Sequence, residues 1–158
     1  MIALEQGRIL ATGTSHEVLD RPSHRMLASL AGFENIFGAT VVERSVTNGT
    51  MRSRLDGSHT DLEIPLTDHQ RGDRITVAVR AGDIMLAAGE PQGISARNAL
   101  RGHLLDITSH GPTIVATVDA GATFVVHLTP SAVQALLLQA GCEVWLIIKT
   151  YSCRVLAE

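Results

Sequence analysis

Gly72-Asp73-Arg74-Ile75-Thr76-Val77-Ala78-Val79-Arg80 and Gly141-Cys142-Glu143-Val144-Trp145-Leu146-Ile147-Ile148-Lys149 follow one pattern. In each, a glycine turn opens a run rich in β-branched residues, and a basic residue closes it eight positions later. Apolar segments, Ile84-Met85-Leu86 and Val155-Leu156, come next. Upstream, Asn35-Ile36-Phe37-Gly38 resembles Asn98-Ala99-Leu100-Arg101-Gly102. Order, spacing and end charge agree together, which argues for an internal repeat. The competing reading is two unrelated β segments that share glycine turns.

Outward from these stretches the texture is short strands with turn punctuation. Ile36 to Glu43, Thr50 to Leu55 and Arg74 to Arg80 read as strands, broken at Asn48-Gly49, Asp56-Gly57 and Arg71-Gly72-Asp73. Leu100 to Thr108, Thr113 to Asp119, Thr123 to Leu128 and Glu143 to Lys149 repeat it, broken at Gly111-Pro112, Ala120-Gly121 and Ala140-Gly141. Pro130 to Leu138 differs: Pro follows Thr129 at a first-turn position, and Val133, Leu136 and Leu137 have helical spacing. Many short strands with one helix predict a mainly β chain of two small OB-like barrels in tandem, because closure removes the edges that a small open sheet exposes.

Residues 1–31 read differently. Met1 to Leu4 and Arg8 to Ala11 flank a turn at Glu5-Gln6-Gly7, predicting a hairpin. Thr14 and Glu17 have capping-box spacing for a helix ending before Pro22, and Ser23 could cap a second helix bearing Met26, Leu27 and Leu30. This stretch is too poor in apolar residues to fold alone, so it must lean on another surface. The expected units are therefore 1–31, a first barrel at 32–90 and a second at 91–158.

Composition narrows the function. The chain has 158 residues, 45% hydrophobic and 18% charged, which suits a folded core rather than a disordered tail. Aromatics at 3% and a net charge of −3 argue against a nucleic-acid surface. No apolar run reaches the roughly 18 residues of a spanning helix, and the N-terminus lacks signal-peptide character. Cys142 and Cys153 show neither CxxC spacing nor a disulfide framework, so a cytoplasmic location with two plain thiols is expected.

No phosphate-loop, HExxH or GxSxG motif is present, and no two of the seven histidines have the spacing of a zinc pair. His103, His110 and His127 read as surface residues, and Asp61 and Glu63 as alternating residues of an exposed strand. No catalytic residue and no metal site is expected. Anion binding is the sharper signal. Ile94-Ser95-Ala96-Arg97-Asn98 places a hydroxyl, a guanidinium and an amide together; Lys149-Thr150-Tyr151-Ser152 adds an ammonium and three hydroxyls; Thr129 and Ser131 stand at a helix start. Residues 92–105, 120–142 and 144–157 contain no Asp or Glu, as a pocket that must not repel an anion would require. The plainer alternative is that Lys149 is a strand-end surface charge and the hydroxyls are turn formers.

At Ser95-Ala96-Arg97-Asn98, together with Ile148-Lys149 before a Thr/Ser turn, the sequence resembles the Mop, or molbindin, module, a small TOBE-type barrel that binds molybdate or tungstate. The stretch Val77 to Ala87 resembles the join between two TOBE units of ABC importer ATPases. Leu4 to Thr14 with Glu17-Val18-Leu19 resembles the end of their nucleotide-binding domain, and Asn35-Ile36-Phe37-Gly38 the start of the regulatory part. The resemblance is to the C-terminal part of a molybdate importer's ATP-binding subunit and covers essentially the whole chain. It implies that 1–31 is a remnant of the nucleotide-binding domain and that the oxyanion set comprises Ser95, Ala96, Arg97, Thr129, Ser131, Lys149, Thr150 and Ser152.

One departure weakens that set: the module's usual serine three residues after the threonine falls on Ala132. In the family the oxyanion often sits between modules or subunits, so one chain is expected to supply half a pocket. The resemblance further implies molybdate or tungstate as ligand, a homodimer, and contact with permease subunits through an ATPase half lying upstream of Met1. On that reading the chain itself neither binds nor hydrolyses ATP, binds no nucleic acid and meets the membrane only through the transporter. The alternative it carries is a TOBE docking domain of an importer for sugars, polyamines or iron, without oxyanion binding.

Overall fold

The computed structural model describes residues 1–5, 7–19, 28–29 and 31–156. The hairpin forms as expected from strands β1 (Ile2–Glu5) and β2 (Arg8–Thr12). The capping box is closed in both directions: the Glu17 amide donates to Thr14 Oγ1 at 3.2 Å and the Thr14 amide to Glu17 Oε2 at 2.8 Å, starting helix α1 (Ser15–Leu19). Of the predicted second helix, Ala28 and Ser29 are described and helical, while Ser23, Met26, Leu27 and Leu30 lie outside the described residues. What is described there does lean on the β region, since buried Ala28 and Phe33 cluster with Ala78 and Leu156.

Two five-stranded antiparallel sheets follow. The first copy supplies β3 (Asn35–Ser45), β4 (Thr50–Leu55), β5 (Asp61–Pro65), β6 (Arg74–Val79) and β7 (Met85–Ala87). The second supplies β8 (Asn98–His110), β9 (Thr113–Asp119), β10 (Thr123–Leu128), helix α2 (Pro130–Ala135), β11 (Glu143–Ile148) and β12 (Cys153–Leu156). The two copies are thus mainly β, with the expected helix between β10 and β11, whose N-cap Thr129 accepts from the Ala132 amide at 3.1 Å and whose first residue is Pro130.

The repeat is visible in the hydrogen bonding. Asn35 sits opposite Val79 in one sheet and Asn98 opposite Ile148 in the other. The long strand of each copy bulges at a matching place, after Val41 and after Leu104. There Val41 exchanges backbone bonds with Asp73 and Gly72, and Leu104 with Cys142 and Gly141, all between 2.7 and 3.0 Å. Bulges of this kind bend a strand enough to wrap a small sheet around its core. At Gly102 the fit is so close that a Cβ would lie 2.6 Å from the Asp119 carbonyl oxygen.

The two sheets run β5-β4-β3-β6-β12 and β10-β9-β8-β11-β7, so the copies exchange their last strands. β12, from the second copy, pairs with β6; β7, from the first, pairs with β11. The sheets therefore cut across the 32–90 and 91–158 spans, because each barrel is completed by a strand from the other span. Crossing strands carry the core with them. One apolar cluster runs through both copies, from Val41, Leu62 and Val77 to Leu104, Phe124 and Leu146, and Phe37 meets Phe124 with ring centroids 4.8 Å apart.

Cys153 belongs to this shared core and is fully buried. Burial pushes its thiol up from 9.0 to about 12. The folded chain then holds a proton that the unfolded chain has released, so stability is unaffected below about pH 9 and falls as pH rises toward 12. Urea unfolding should show a stability lower at pH 10 than at pH 8 by on the order of 1 kcal/mol, a loss that the Cys153→Ala variant does not share.

Candidate functional site

Each copy's final long strand is followed by a basic residue and a short 3-10 segment, Ala81–Asp83 after Arg80 and Thr150–Ser152 after Lys149. Strand exchange lays each turn against the outer strand of the other copy. Two buried asparagines fix this docking. Asn98 Nδ2 donates to the Glu63 carbonyl at 2.9 Å while the Glu63 amide donates to Asn98 Oδ1 at 2.7 Å. Asn35 makes the same pair of bonds with Val125, at 2.8 and 2.7 Å. A side-chain amide carries both a donor and an acceptor, so one Asn satisfies both backbone groups of a residue on the neighbouring edge.

On the side held by Asn98 there is an open cleft of about 630 Å³, lined by Asn48, Thr50, Glu63, Ser95, Arg97, Lys149, Thr150 and Tyr151. Four residues of the sequence-based set thus line one cleft: Ser95, Arg97, Lys149 and Thr150. Ser95, Arg97 and Lys149 are exposed there, whereas Thr150 is buried at 7% exposure. The Arg97 guanidinium also donates to the Ile94 carbonyl at 2.9 Å, which bends the loop around it. Ala96 is buried beneath that loop and is not part of the lining.

Thr129, Ser131 and Ser152 do not line this cleft. Thr129 caps α2, and its hydroxyl lies 2.9 Å from that of Ser131, so the pair forms a separate, exposed polar spot at the helix start. The expectation of an acid-free pocket is corrected by Glu63. Its carboxylate accepts from the Thr150 hydroxyl at 2.7 Å and faces the same cleft as Arg97 and Lys149. The acid-free windows lie in the second copy; the acid arrives from the first, on β5.

Around the opposite turn one of the two cations is replaced by an acid. Where the second copy has Arg97 just before Asn98, the first has Glu34 just before Asn35. Glu34 accepts from the Ala81 amide at 2.9 Å and lies 3.9 Å from His127 Nε2. Arg80 stacks on the Phe33 ring, 4.6 Å from its centroid. The position of Lys149 is thus occupied by a stacked arginine and that of Arg97 by a carboxylate, so the two ends of the repeat are not chemically equivalent.

The chain is similar to several known proteins. Residues 94–155, most of the second copy, match the TOBE domain. Over 96% of its length the chain is 30% identical to the molybdenum import ATP-binding protein ModC of Mesorhizobium japonicum, covering 41% of that protein. It is 28% identical over 95% of its length to the molybdate/tungstate import ATP-binding protein WtpC of Pyrococcus abyssi, covering 40% of it. The spermidine/putrescine import ATP-binding protein PotA of Aggregatibacter actinomycetemcomitans matches 75% of the chain at 27% identity, with 31% of PotA covered. The chain spans about two fifths of the length of the molybdenum-importer relatives it matches. In fold it is similar to the cytoplasmic molybdate-binding protein ModG, with a TM-score of 0.69 and 22% identity, covering 80% of this chain and 97% of that one. Among the described residues, no helix is long and apolar enough to cross a membrane.

Proposed function

We propose that the chain is the oxyanion-sensing regulatory part of an importer's ATP-binding subunit, with molybdate or tungstate as ligand. The observation that carries this is the convergence of Ser95, Arg97, Lys149 and Thr150 on one cleft. Those residues come from two segments that the sequence separates by about fifty residues. A guanidinium and an ammonium offer charge-assisted bonds, and the hydroxyls add neutral donors, the chemistry a tetrahedral dianion needs. The similarity to ModC and WtpC, proteins named for molybdenum and for molybdate/tungstate import, supports that choice of ligand.

The cleft is open and far larger than a tetrahedral oxyanion, which takes up the room of a few waters at ~30 Å³ each. A second surface must therefore close over the ligand, and we assign that role to a second copy of the chain in a homodimer. Thr129 and Ser131, exposed and away from the first cleft, would then contribute from the partner's side. Ligand held between two copies favours one arrangement of the dimer over others, which is how occupancy could restrain transport. The reading assigns no reaction to this chain's residues, places it in the cytoplasm and brings it to the membrane only through permease subunits.

The reading to be told apart from it, which the matches do not favour, is a docking barrel of an importer for another substrate that binds no oxyanion. Titration calorimetry of the chain with molybdate, tungstate and sulfate separates them. Oxyanion sensing predicts heat from molybdate or tungstate and a fall in affinity of roughly thirtyfold to a hundredfold in Lys149→Ala, since truncating a charged donor to a bound anion costs about 2–3 kcal/mol. Docking alone predicts no heat from any of the three.

A further inference from the structure

Glu63 sits where an anion pocket should least tolerate it, and nothing in the fold requires a carboxylate there. The clasp from Asn98 uses only the Glu63 backbone. At the matching place in the other copy Asn35 clasps Val125, so that strand position accepts an aliphatic side chain equally well. What Glu63 does have is a role in the cleft. It takes the one O–H that Thr150 can donate, leaving that hydroxyl only lone pairs to offer a ligand. It also adds a negative charge beside Arg97 and Lys149, and a dianion entering the cleft meets that charge.

The neighbouring cation does not cancel it. Arg52 lies across the strand pair from Glu63, but its guanidinium is 2.6 Å from Glu43 and 3.8 Å from Asp61, so it serves two other carboxylates.

We propose that Glu63 is the affinity-setting residue of this cleft: a resident carboxylate that an incoming oxyanion must displace from Thr150. This rests on the oxyanion reading above and adds its regulation. A ligand that must break an existing charge-assisted bond half-saturates the site at a higher concentration than the donors alone would give. The cleft then responds when oxyanion is abundant rather than staying filled at its lowest levels.

The test is titration calorimetry of the full chain with tungstate, in the wild type, Glu63→Gln and Glu63→Val. Gln keeps the shape and still accepts from Thr150, so it removes only the charge; Val copies the other half of the repeat and also frees the hydroxyl. Tungstate should bind tenfold or more tighter to Glu63→Gln and at least as tightly again to Glu63→Val. A purely structural role for Glu63 predicts the opposite sign, weaker binding. Thermal unfolding of both variants checks the fold, and if Glu63→Val does not fold, Glu63→Gln alone decides. Tungstate binding to Glu63→Gln at wild-type strength or weaker, with binding still weakened in Lys149→Ala, overturns the role of Glu63 and leaves the oxyanion reading standing. Absence of heat from all three chains overturns the oxyanion reading itself.

Discussion

Asn98→Ala should cost about 3 kcal/mol or more of folding stability, among the largest effects expected of any single substitution in this chain. Asn98 is 3% exposed and its side chain satisfies both the amide and the carbonyl of Glu63. Alanine would remove both partners at once. Each buried backbone group left without a hydrogen bond costs about 1–3 kcal/mol, and no side chain on β5 or β8 stands ready to replace them. In urea the unfolding midpoint should fall without a change in slope, and the thermal midpoint by roughly 6–12 °C for a domain of this size.

The repeat supplies an internal check. Asn35 makes the same bonds to Val125, so Asn35→Ala should fall in the same range. A further consequence separates the two variants. Asn98 positions β5 against the turn that carries Thr150, whereas Asn35 acts at the far end of the repeat, so only Asn98→Ala should also weaken oxyanion binding. A loss below 1 kcal/mol in both variants would mean that water satisfies these groups and that the clasps do not hold the copies together.

Much of this architecture was legible in local patterns. The Gly72–Arg80 and Gly141–Lys149 runs became β6 and β11, the Thr14–Glu17 spacing became a closed capping box, and Thr129-Pro130 became a capped helix start, because turns, caps and alternation are decided by near neighbours. Pairing of distant strands is not. Nothing within β7 or β12 distinguishes pairing with its own copy from pairing with the other, since the copies present similar edges. The same limit explains the site. Ser95, Arg97, Lys149 and Thr150 were visible as donors in short motifs. Glu63 was visible only as half of an alternating strand, and it enters the cleft because the exchange docks β5 beside the turn after β11. A local count of acidic residues cannot register a carboxylate delivered from another part of the chain.

The exchange itself leads to the other large expected effect. Ending the chain after Ser152 removes β12, four residues that lie in the second half of the sequence but pair with β6 in the first sheet. Cys153 and Leu156 are buried at 0% and 3% exposure, the Leu156 side chain contributing about 1.5–3 kcal/mol by burial and the smaller Cys153 less, and the strand bonds to β6 go with them. Together this approaches the whole stability of an ordinary domain, about 5–15 kcal/mol. The damage should be local in space and remote in sequence. In hydrogen exchange, amides of β6 and its neighbour β3 should lose protection by orders of magnitude, while β8, β9 and β10 retain most of theirs. Ala78, which Leu156 and Phe33 cover, would open to solvent, so the contact that holds the described N-terminal residues at Ala28 should loosen in the same experiment. Two autonomous barrels at 32–90 and 91–158 predict the reverse pattern, with exchange rising in the second copy and the first untouched. The direction in which protection is lost therefore decides whether the repeat folds as two units in series or as one unit built by trading strands.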